Sequence, residues 1–164
     1  MSGIALLALS TFSLSAQAAR VQVIHNSADV LADSVDIYLN GNLALDDFAY
    51  RTATPFLDIP TSSPAVIGVA PKTSSSYSDT LTTFTFNLMP NETYVVVADG
   101  FISPGYNPAT PFNLRVFATG RESANTVGNT DVLVYHGSTD APAVDVDEVS
   151  LPAGTVVNNL EFGN

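Results

Sequence analysis

Apolar and polar residues alternate along most of this chain, and the alternation constrains the fold more than any other feature. In "RVQVIH", Val21, Val23 and His25 share one face. A period of two is typical of a β-strand with one face in a core, and no segment keeps a helical stripe. Such strands recur about every eight to twelve residues, a spacing typical of a β-sandwich. We therefore predict an all-β, immunoglobulin-like antiparallel β-sandwich.

The segment "SVDIYLNGNLALDDFAY" predicts a hairpin within this sandwich. Its first strand turns Val35 toward the core and leaves Asp36 and Tyr38 on the outer face. Asn40-Gly41 favours a tight turn, because both residues tolerate a positive φ. The alternation breaks at Asp46-Asp47, which predicts a β-bulge in the return strand. Further along, the continuous apolar run "YVVVADGFI" predicts a central strand that is covered on both faces.

Composition excludes several classes of function. The 164 residues include 16 acidic and 5 basic side chains, for a net charge of −11. A surface this acidic argues against nucleic acid and against electrostatic docking to anionic lipid. The chain has no cysteine. Disulfides, thiolate metal sites and a cysteine nucleophile are therefore excluded, and the fold must rely on its apolar core.

The first residues have the pattern of an export signal. The apolar run "GIALLALSTFSL" is too short for a membrane helix and is typical of a signal peptide. Ala16-Gln17-Ala18 follows as a small-x-small cleavage site, so we assign residues 1–18 to the leader. We expect a secreted, extracellular or cell-surface protein with no transmembrane segment after cleavage.

One motif occurs twice in the mature chain. "VQVIHNSADV" at 21–30 and "VLVYHGSTDA" at 132–141 share the pattern V-x-V-x-H-x-S-x-D. Between them, residues 120–130 are polar and have the composition of a linker. The later copy continues with three predicted strands, "DVLVYH", "AVDVDEV" and "TVVNNLEF", the last two joined by a turn at "LPAG". We therefore predict a module at 19–119 and the first strands of a second, incomplete module at 131–164.

The stretch "VLVYHGSTDAPAVDV", followed by the L-P-A-G turn, resembles the bacterial secreted domain-of-unknown-function family 4397. The first copy departs from the pattern, with Val30-Leu31 in place of Ala-Pro and a two-residue insertion. The resemblance implies an exported, often tandem β-sandwich module of surface or secreted proteins. It implies no activity.

The repeated histidine, serine and aspartate have two interpretations. They would suit a catalytic triad if the serine lay beside its base, with an oxyanion hole next to both. However, the serine and aspartate fall in the turn after a strand, where such side chains normally bond to nearby backbone. Duplication also favours architecture over an active site. We therefore predict two structural corners, formed by His25, Ser27 and Asp29, and by His136, Ser138 and Asp140.

Two other groups of residues are candidates for binding. Oxygen ligands that converge at one end of the sandwich would suit Ca²⁺, and the candidates are Asp29, Asp33, Asp36, Asp46 and Asp47. Tyr77 and Tyr106 lie in loops rich in serine or proline, where an aromatic ring can stack on a sugar or anchor a protein. The alternative is that each tyrosine packs over its own loop.

Together these features favour a non-enzymatic exported binding and spacer module of a bacterial surface or secreted protein, with no cofactor. The expected partners are a protein, a glycan or a cell-envelope component, and another copy of the chain through the incomplete C-terminal module. The alternative is a Ca²⁺-dependent carbohydrate-binding module attached to a larger secreted enzyme. A hydrolase ranks last, because the sequence has no G-x-S-x-G elbow.

Overall fold

The computed structural model describes residues 17–150 and 154–164, so most of the predicted leader and most of the predicted L-P-A-G turn lie outside the described residues. The described chain forms two single-turn 3₁₀ helices, at Val30–Ala32 and Tyr77–Asp79. Its strands are β1 (Ala18–His25), β2 (Ser34–Leu39), β3 (Asn42–Ala49), β4 (Leu57–Pro60), β5 (Ala65–Pro71), β6 (Thr82–Phe86), β7 (Thr93–Asp99), β8 (Asn113–Phe117), β9 (Val144–Glu148) and β10 (Gly154–Leu160).

The first eight strands form two four-stranded sheets that pack face to face, which confirms the prediction of an all-β sandwich. One sheet has the order β4-β1-β7-β8, and the other has the order β3-β2-β5-β6. Alternate residues of β1, β7 and β8 enter the core, among them Val21, Val96 and Leu114. From the other sheet, Ile67 and Phe84 pack against them. Burial of these apolar side chains is the main stabilising contribution to the sandwich.

The local predictions for the first hairpin are confirmed. Asn40 and Gly41 both have positive φ and connect β2 to β3. The register between these strands shifts after Val35, and Asp47 adopts a φ of 51°. This extra residue is the bulge that the broken alternation predicted.

The pairing of the two central strands differs from the prediction of a purely antiparallel fold. β1 and β7 run parallel, with His25 opposite Ala98, whereas the other strand pairs are antiparallel. Because parallel strands point the same way, the segments that leave β1 and β7 emerge at the same edge of the sheet. The loop after Asp99 is therefore brought beside the serine and aspartate that follow His25.

The outer face of the second sheet also differs from the expectation. Asp36 and Tyr38 point away from the sandwich core, yet both are buried. The loop after β5 covers them: Ser74 Oγ donates to Asp36 Oδ2 at 2.6 Å, and the ring of Tyr77 packs edge-on against Tyr38. Alternation along one strand does not reveal a loop that folds back over its polar face.

The C-terminal segment forms an antiparallel hairpin of β9 and β10, outside both sheets of the sandwich. The prediction of a strand at "DVLVYH" is wrong, because residues 131–136 are not part of any strand. A strand is defined by its partners. The equivalent β1 pairs with β4 and β7, whereas no described segment lies in a ladder with residues 131–136. No helix within the described ranges is long and apolar enough to cross a membrane.

Gly100, directly after β7, tests how tightly the chain packs at the sheet edge where β1 and β7 end. Its φ is +73°, and an added Cβ would overlap the backbone of Pro111. Gly105 also has a positive φ, +96°, but has no atom within 4 Å of an added Cβ. Gly100→Ala should therefore lower the free energy of unfolding by roughly 2 kcal/mol more than Gly105→Ala, measured by urea denaturation. Equal losses in the two variants would show that the edge is not packed as described.

Candidate functional site

His25 closes the end of β1 through both its backbone and its ring. Its N–H donates to Thr52 O at 2.9 Å, and its carbonyl accepts from Arg51 N at 2.8 Å. The ring is buried, and Nε2 lies 2.8 Å from Ala32 O. A carbonyl only accepts, so Nε2 carries the proton and donates it. Burial lowers the pKa of His25 below its usual value, although the bond to Ala32 acts in the opposite direction.

Ser27 is fully buried in the turn after β1. Its hydroxyl donates to Gly100 O at 2.6 Å. This bond joins the segment that leaves β1 to the segment that leaves β7. Because the serine proton points to a carbonyl, it is not directed at a base.

Asp29 is the centre of the site. Its carboxylate is buried and accepts from three backbone N–H groups: Leu31 at 3.0 Å, Ile102 at 2.8 Å and Ser103 at 2.6 Å. Ser103 Oγ also donates, at 2.7 Å. Burial raises the pKa of Asp29, but the hydrogen bonds from Ser103, Leu31 and Ile102 outweigh it, so the pKa lies below its usual value. The negative charge is thus stabilised inside the fold by donors from the loop after β7.

The second histidine repeats the first in detail. His136 Nε2 donates to Pro142 O at 2.9 Å. Its N–H donates to Asn164 O at 3.0 Å, and its carbonyl accepts from Gly163 N at 2.9 Å. The edge-on ring of Phe162 takes the place that Tyr50 has beside His25.

The two hairpins also match away from the histidines. Asp36 Oδ1 accepts from the N–H of Asp47, which has a φ of 51°. In the same way, Asp145 Oδ1 accepts from the N–H of Asn159, which has a φ of 52°. An aspartate on the outgoing strand therefore holds the bulge of the returning strand in both copies.

Beyond the histidine, the second corner differs from the first. Ser138 Oγ donates to Asp140 Oδ1 at 3.0 Å, and Ser138 N donates to His136 Nδ1 at 3.3 Å. Both Ser138 and Asp140 are exposed. Their counterparts Ser27 and Asp29 are buried because the loop after β7 covers them. In the described part of the chain, nothing covers the second pair in this way.

Neither copy has the geometry of a catalytic triad. In the first, Ser27 donates to a carbonyl, and in the second, Ser138 donates to an aspartate. In each copy the ring proton on Nε2 is directed at a backbone carbonyl. A triad requires the serine hydroxyl to donate to the histidine, and no such hydrogen bond is formed among the described residues.

The carboxylates proposed for Ca²⁺ divide into separate groups. Asp29 lies with the loop after β7, and Asp33 forms an exposed ion pair with Lys72. Asp36, Asp46 and Asp47 lie near one another on β2 and β3. Burial raises the pKa of Asp46, and the charges of Asp36 and Asp47 add to this effect. Among residues 17–150 and 154–164, no three His, Cys, Asp or Glu side chains are arranged to hold a metal ion.

Both tyrosines of the predicted ligand loops are half-buried. Tyr77 packs against Tyr38, as described above. The ring of Tyr106 stacks on Phe101 with centroids 3.8 Å apart. The Tyr106 hydroxyl accepts from Val30 N at 3.0 Å and lies 3.5 Å from Asp29 Oδ1. Tyr106 therefore belongs to the network of the first corner and holds its loop against the 3₁₀ turn.

A cluster that we did not predict joins the C-terminal segment to the sandwich. Arg115 Nε donates to the buried Asp99 at 3.1 Å, and the Tyr135 hydroxyl donates to the same carboxylate oxygen. The guanidinium also lies over the ring of Phe162, 5.5 Å from its centroid. Burial raises the pKa of Tyr135, and so does its bond to Asp99. The available sequence signal was an arginine between the apolar residues Leu114 and Val116 of β8.

Fold and site together define a β-sandwich domain in which the histidine of the repeated motif bonds to a nearby backbone carbonyl at both of its occurrences. The sequence profile of the family described as "Domain of unknown function (DUF4397)" matches residues 19–147. The chain belongs to this family, which confirms the resemblance found in the motif. The match extends past the predicted module boundary at residue 119 and includes both histidines. A search of curated proteins found no relative.

Replacing His25 tests whether the corner is structural. His25→Ala should lower the free energy of unfolding by roughly 1–3 kcal/mol at pH 7.5, because buried polar groups lose their partner. The folded-state pKa of His25 is lowered, so below about pH 6.5 the unfolded chain binds more protons. This part of the stability is therefore present above that pH and is lost as the pH falls.

Urea unfolding of the wild type, His25→Ala and His25→Gln at pH 7.5 and 5.5 measures both effects. Glutamine keeps an N–H donor for Ala32, so His25→Gln should lose less stability than His25→Ala. Neither replacement titrates, so the unfolding free energy of both variants should depend less on pH than that of the wild type. Equal pH dependence in the wild type and both variants would contradict the assignment.

Proposed function

We propose that this chain is a non-enzymatic binding and spacer module that bacteria export to the cell surface or medium. We further propose that residues 131–164 are the first strands of a second, incomplete module. One observation carries the proposal: in both copies, the residues that resemble a catalytic triad bond to backbone groups or to each other, and the serine does not donate to the histidine. Their repetition matches the need of each module for the same corner.

The end of the sandwich at the first corner is the best candidate for a binding surface. Val30 and Leu31 lie on the 3₁₀ turn with 78% and 74% of their surfaces exposed. They are the two residues with which the first copy departs from the family's Ala-Pro. Beside them, Tyr106 and Asp29 hold the loop at 101–106 in a fixed conformation. A preorganised loop loses little conformational entropy on binding. A protein, a glycan or an envelope component would contact this end.

The role as a spacer is supported by the attachment of the predicted linker. Arg20 on β1 donates two hydrogen bonds to Glu122, at 2.7 and 2.9 Å. Gly120 N donates to Thr93 O at 3.0 Å, at the start of β7. Together with the contacts between Arg115 and Phe162, these bonds fix the direction in which the second histidine corner leaves the sandwich.

Export is supported by the predicted leader and by its position relative to the fold. β1 begins at Ala18, and the carbonyl of Gln17 accepts from the N–H and the hydroxyl of Thr61. Cleavage after Ala18 would remove these contacts but leave the pairs of β1 with Ile59 and Leu57. The mature chain would then begin at Ala19 with the core of the sandwich intact.

Ca²⁺-dependent carbohydrate binding is the alternative. Its best support is the group of Asp36, Asp46 and Asp47, whose charges a cation would stabilise. Against it, Asp36 already accepts hydrogen bonds on both carboxylate oxygens, from Asp47 N and Ser74 Oγ. A thermal unfolding midpoint that rises on addition of Ca²⁺ would favour this alternative over our proposal.

The binding surface is tested by removing its exposed apolar residues. The double variant Val30→Ser, Leu31→Ser should lose retention on an isolated cell-envelope fraction by roughly tenfold or more, because apolar contacts with the partner are lost. Its unfolding midpoint should stay close to that of the wild type, since both side chains face solvent.

Val149→Ser is the matched control, because Val149 is also highly exposed, at 88%, but lies after β9. It should be retained like the wild type. Equal retention of the double variant would contradict the proposed surface. A catalytic activity that disappears in a folded Ser27→Ala variant would contradict the non-enzymatic role.

A further inference from the structure

The segment Val132–Tyr135 is the sequence counterpart of β1, but among the described residues it has no strand partner. In β1, Val21 pairs with Tyr94 of β7 on one side and with Leu57 of β4 on the other. Within the described part of the chain, the N–H and C=O groups of Val132–Tyr135 make no backbone hydrogen bond. Val132 is 76% exposed. An apolar segment with unpaired backbone groups is a template for strand addition.

The two residues that would receive the end of such a strand are also available. Asp140 corresponds to Asp29, but its carboxylate accepts only from Ser138 Oγ among the described residues, whereas Asp29 accepts three backbone N–H groups and a hydroxyl. Ser138 corresponds to Ser27, but its hydroxyl donates to Asp140 and not to a backbone carbonyl. The histidine part of the second corner is formed, whereas the Ser138 hydroxyl and the Asp140 carboxylate bond only to each other among the described residues.

The first corner shows what that partner must be. β7 runs parallel to β1 with Ala98 opposite His25. Two residues after Ala98, the Gly100 carbonyl accepts a hydrogen bond from Ser27. The N–H groups of Ile102 and Ser103 then donate to Asp29. The partner therefore needs an apolar strand, a glycine after it, and two consecutive residues with free N–H groups, the second of which carries a hydroxyl. These donors complement the negative charge of Asp140.

We propose that residues 132–140 are a docking site for a strand of this kind from a further module, aligned parallel to Val132–His136. The proposal rests on the proposed function, since it names the partner through which this module would join another. The β7 strand of the same sandwich is not the occupant, because it is already paired on both sides, with β1 and β8. A small ligand would not satisfy a row of backbone donors and acceptors.

The experiment supplies a strand of this kind. Asn164 O accepts from His136 N, so residue 164 lies beside the docking site. A flexible linker of about ten residues reaches roughly 17 Å, enough to return along the four residues from His136 to Val132. The full chain is extended by this linker and a copy of residues 93–106, "TYVVVADGFISPGY". A chain extended by the linker alone is the reference, and amide hydrogen exchange is measured by mass spectrometry or NMR.

We expect the amides of Val132–Tyr135 to exchange roughly tenfold or more slowly with the added strand, because tethering makes pairing intramolecular. Asp140→Asn in the extended chain should remove most of this protection, since an amide group does not accept as a carboxylate does. Glu161→Gln removes the same charge from another exposed residue and should leave the protection unchanged.

Three results would overturn the proposal: no slowing at Val132–Tyr135, equal slowing in Asp140→Asn, or slowing confined to β1, which would indicate exchange with the β7 strand. None of them affects retention on the envelope fraction, which depends on Val30 and Leu31. Failure of the docking site is therefore distinguishable from failure of the proposed binding function.

Discussion

The buried carboxylate of Asp29 is the interaction on which the loop end of the sandwich depends. It lies after β1, and its donors Ile102 and Ser103 lie after β7, so it joins two segments that are far apart in sequence. The parallel pairing of β1 and β7 makes this contact possible, because both strands end at the same edge. A buried charge without these donors would be strongly destabilising. The loop that carries Tyr106 is therefore ordered by an electrostatic requirement within the fold.

The repeated motif forms two sets of hydrogen bonds, one to nearby residues and one to a distant strand end. The histidine ring bonds to a carbonyl just before the hairpin that follows it, and the histidine backbone bonds to residues just after that hairpin. These hydrogen bonds are therefore local, and they form in both copies. In the first copy, the serine and aspartate bond to the segment after β7, so this second set of hydrogen bonds needs a strand that is distant in sequence. Among the described residues, the second copy of the motif forms the histidine bonds but not the bonds to a distant strand. For the same reason "DVLVYH" does not form a strand, although its sequence has the pattern of one.

Local features of the fold were predictable from the sequence, and long-range features were not. Alternation located the strands, Asn40-Gly41 the hairpin and Asp46-Asp47 the bulge, because each depends on neighbouring residues. The place of Ser27 and Asp29 in the turn after β1 indicated bonds to nearby backbone, but their partners Gly100, Ile102 and Ser103 lie far away in sequence. The parallel β1–β7 pair, the burial of Asp36 under a loop and the bond from Tyr135 to Asp99 all join distant segments. Periodicity carries no information about such contacts.

A double-mutant cycle between Asp29 and Ser103 tests most directly whether the motif is a structural corner. The variants are Asp29→Asn, Ser103→Ala and their combination, with Asp33→Asn in place of Asp29→Asn as the control, since Asp33 is exposed and bonds to Lys72. From urea unfolding we predict a coupling free energy of about 1–2 kcal/mol between Asp29 and Ser103, and nearly none between Asp33 and Ser103. Additive effects of Asp29→Asn and Ser103→Ala would contradict the account.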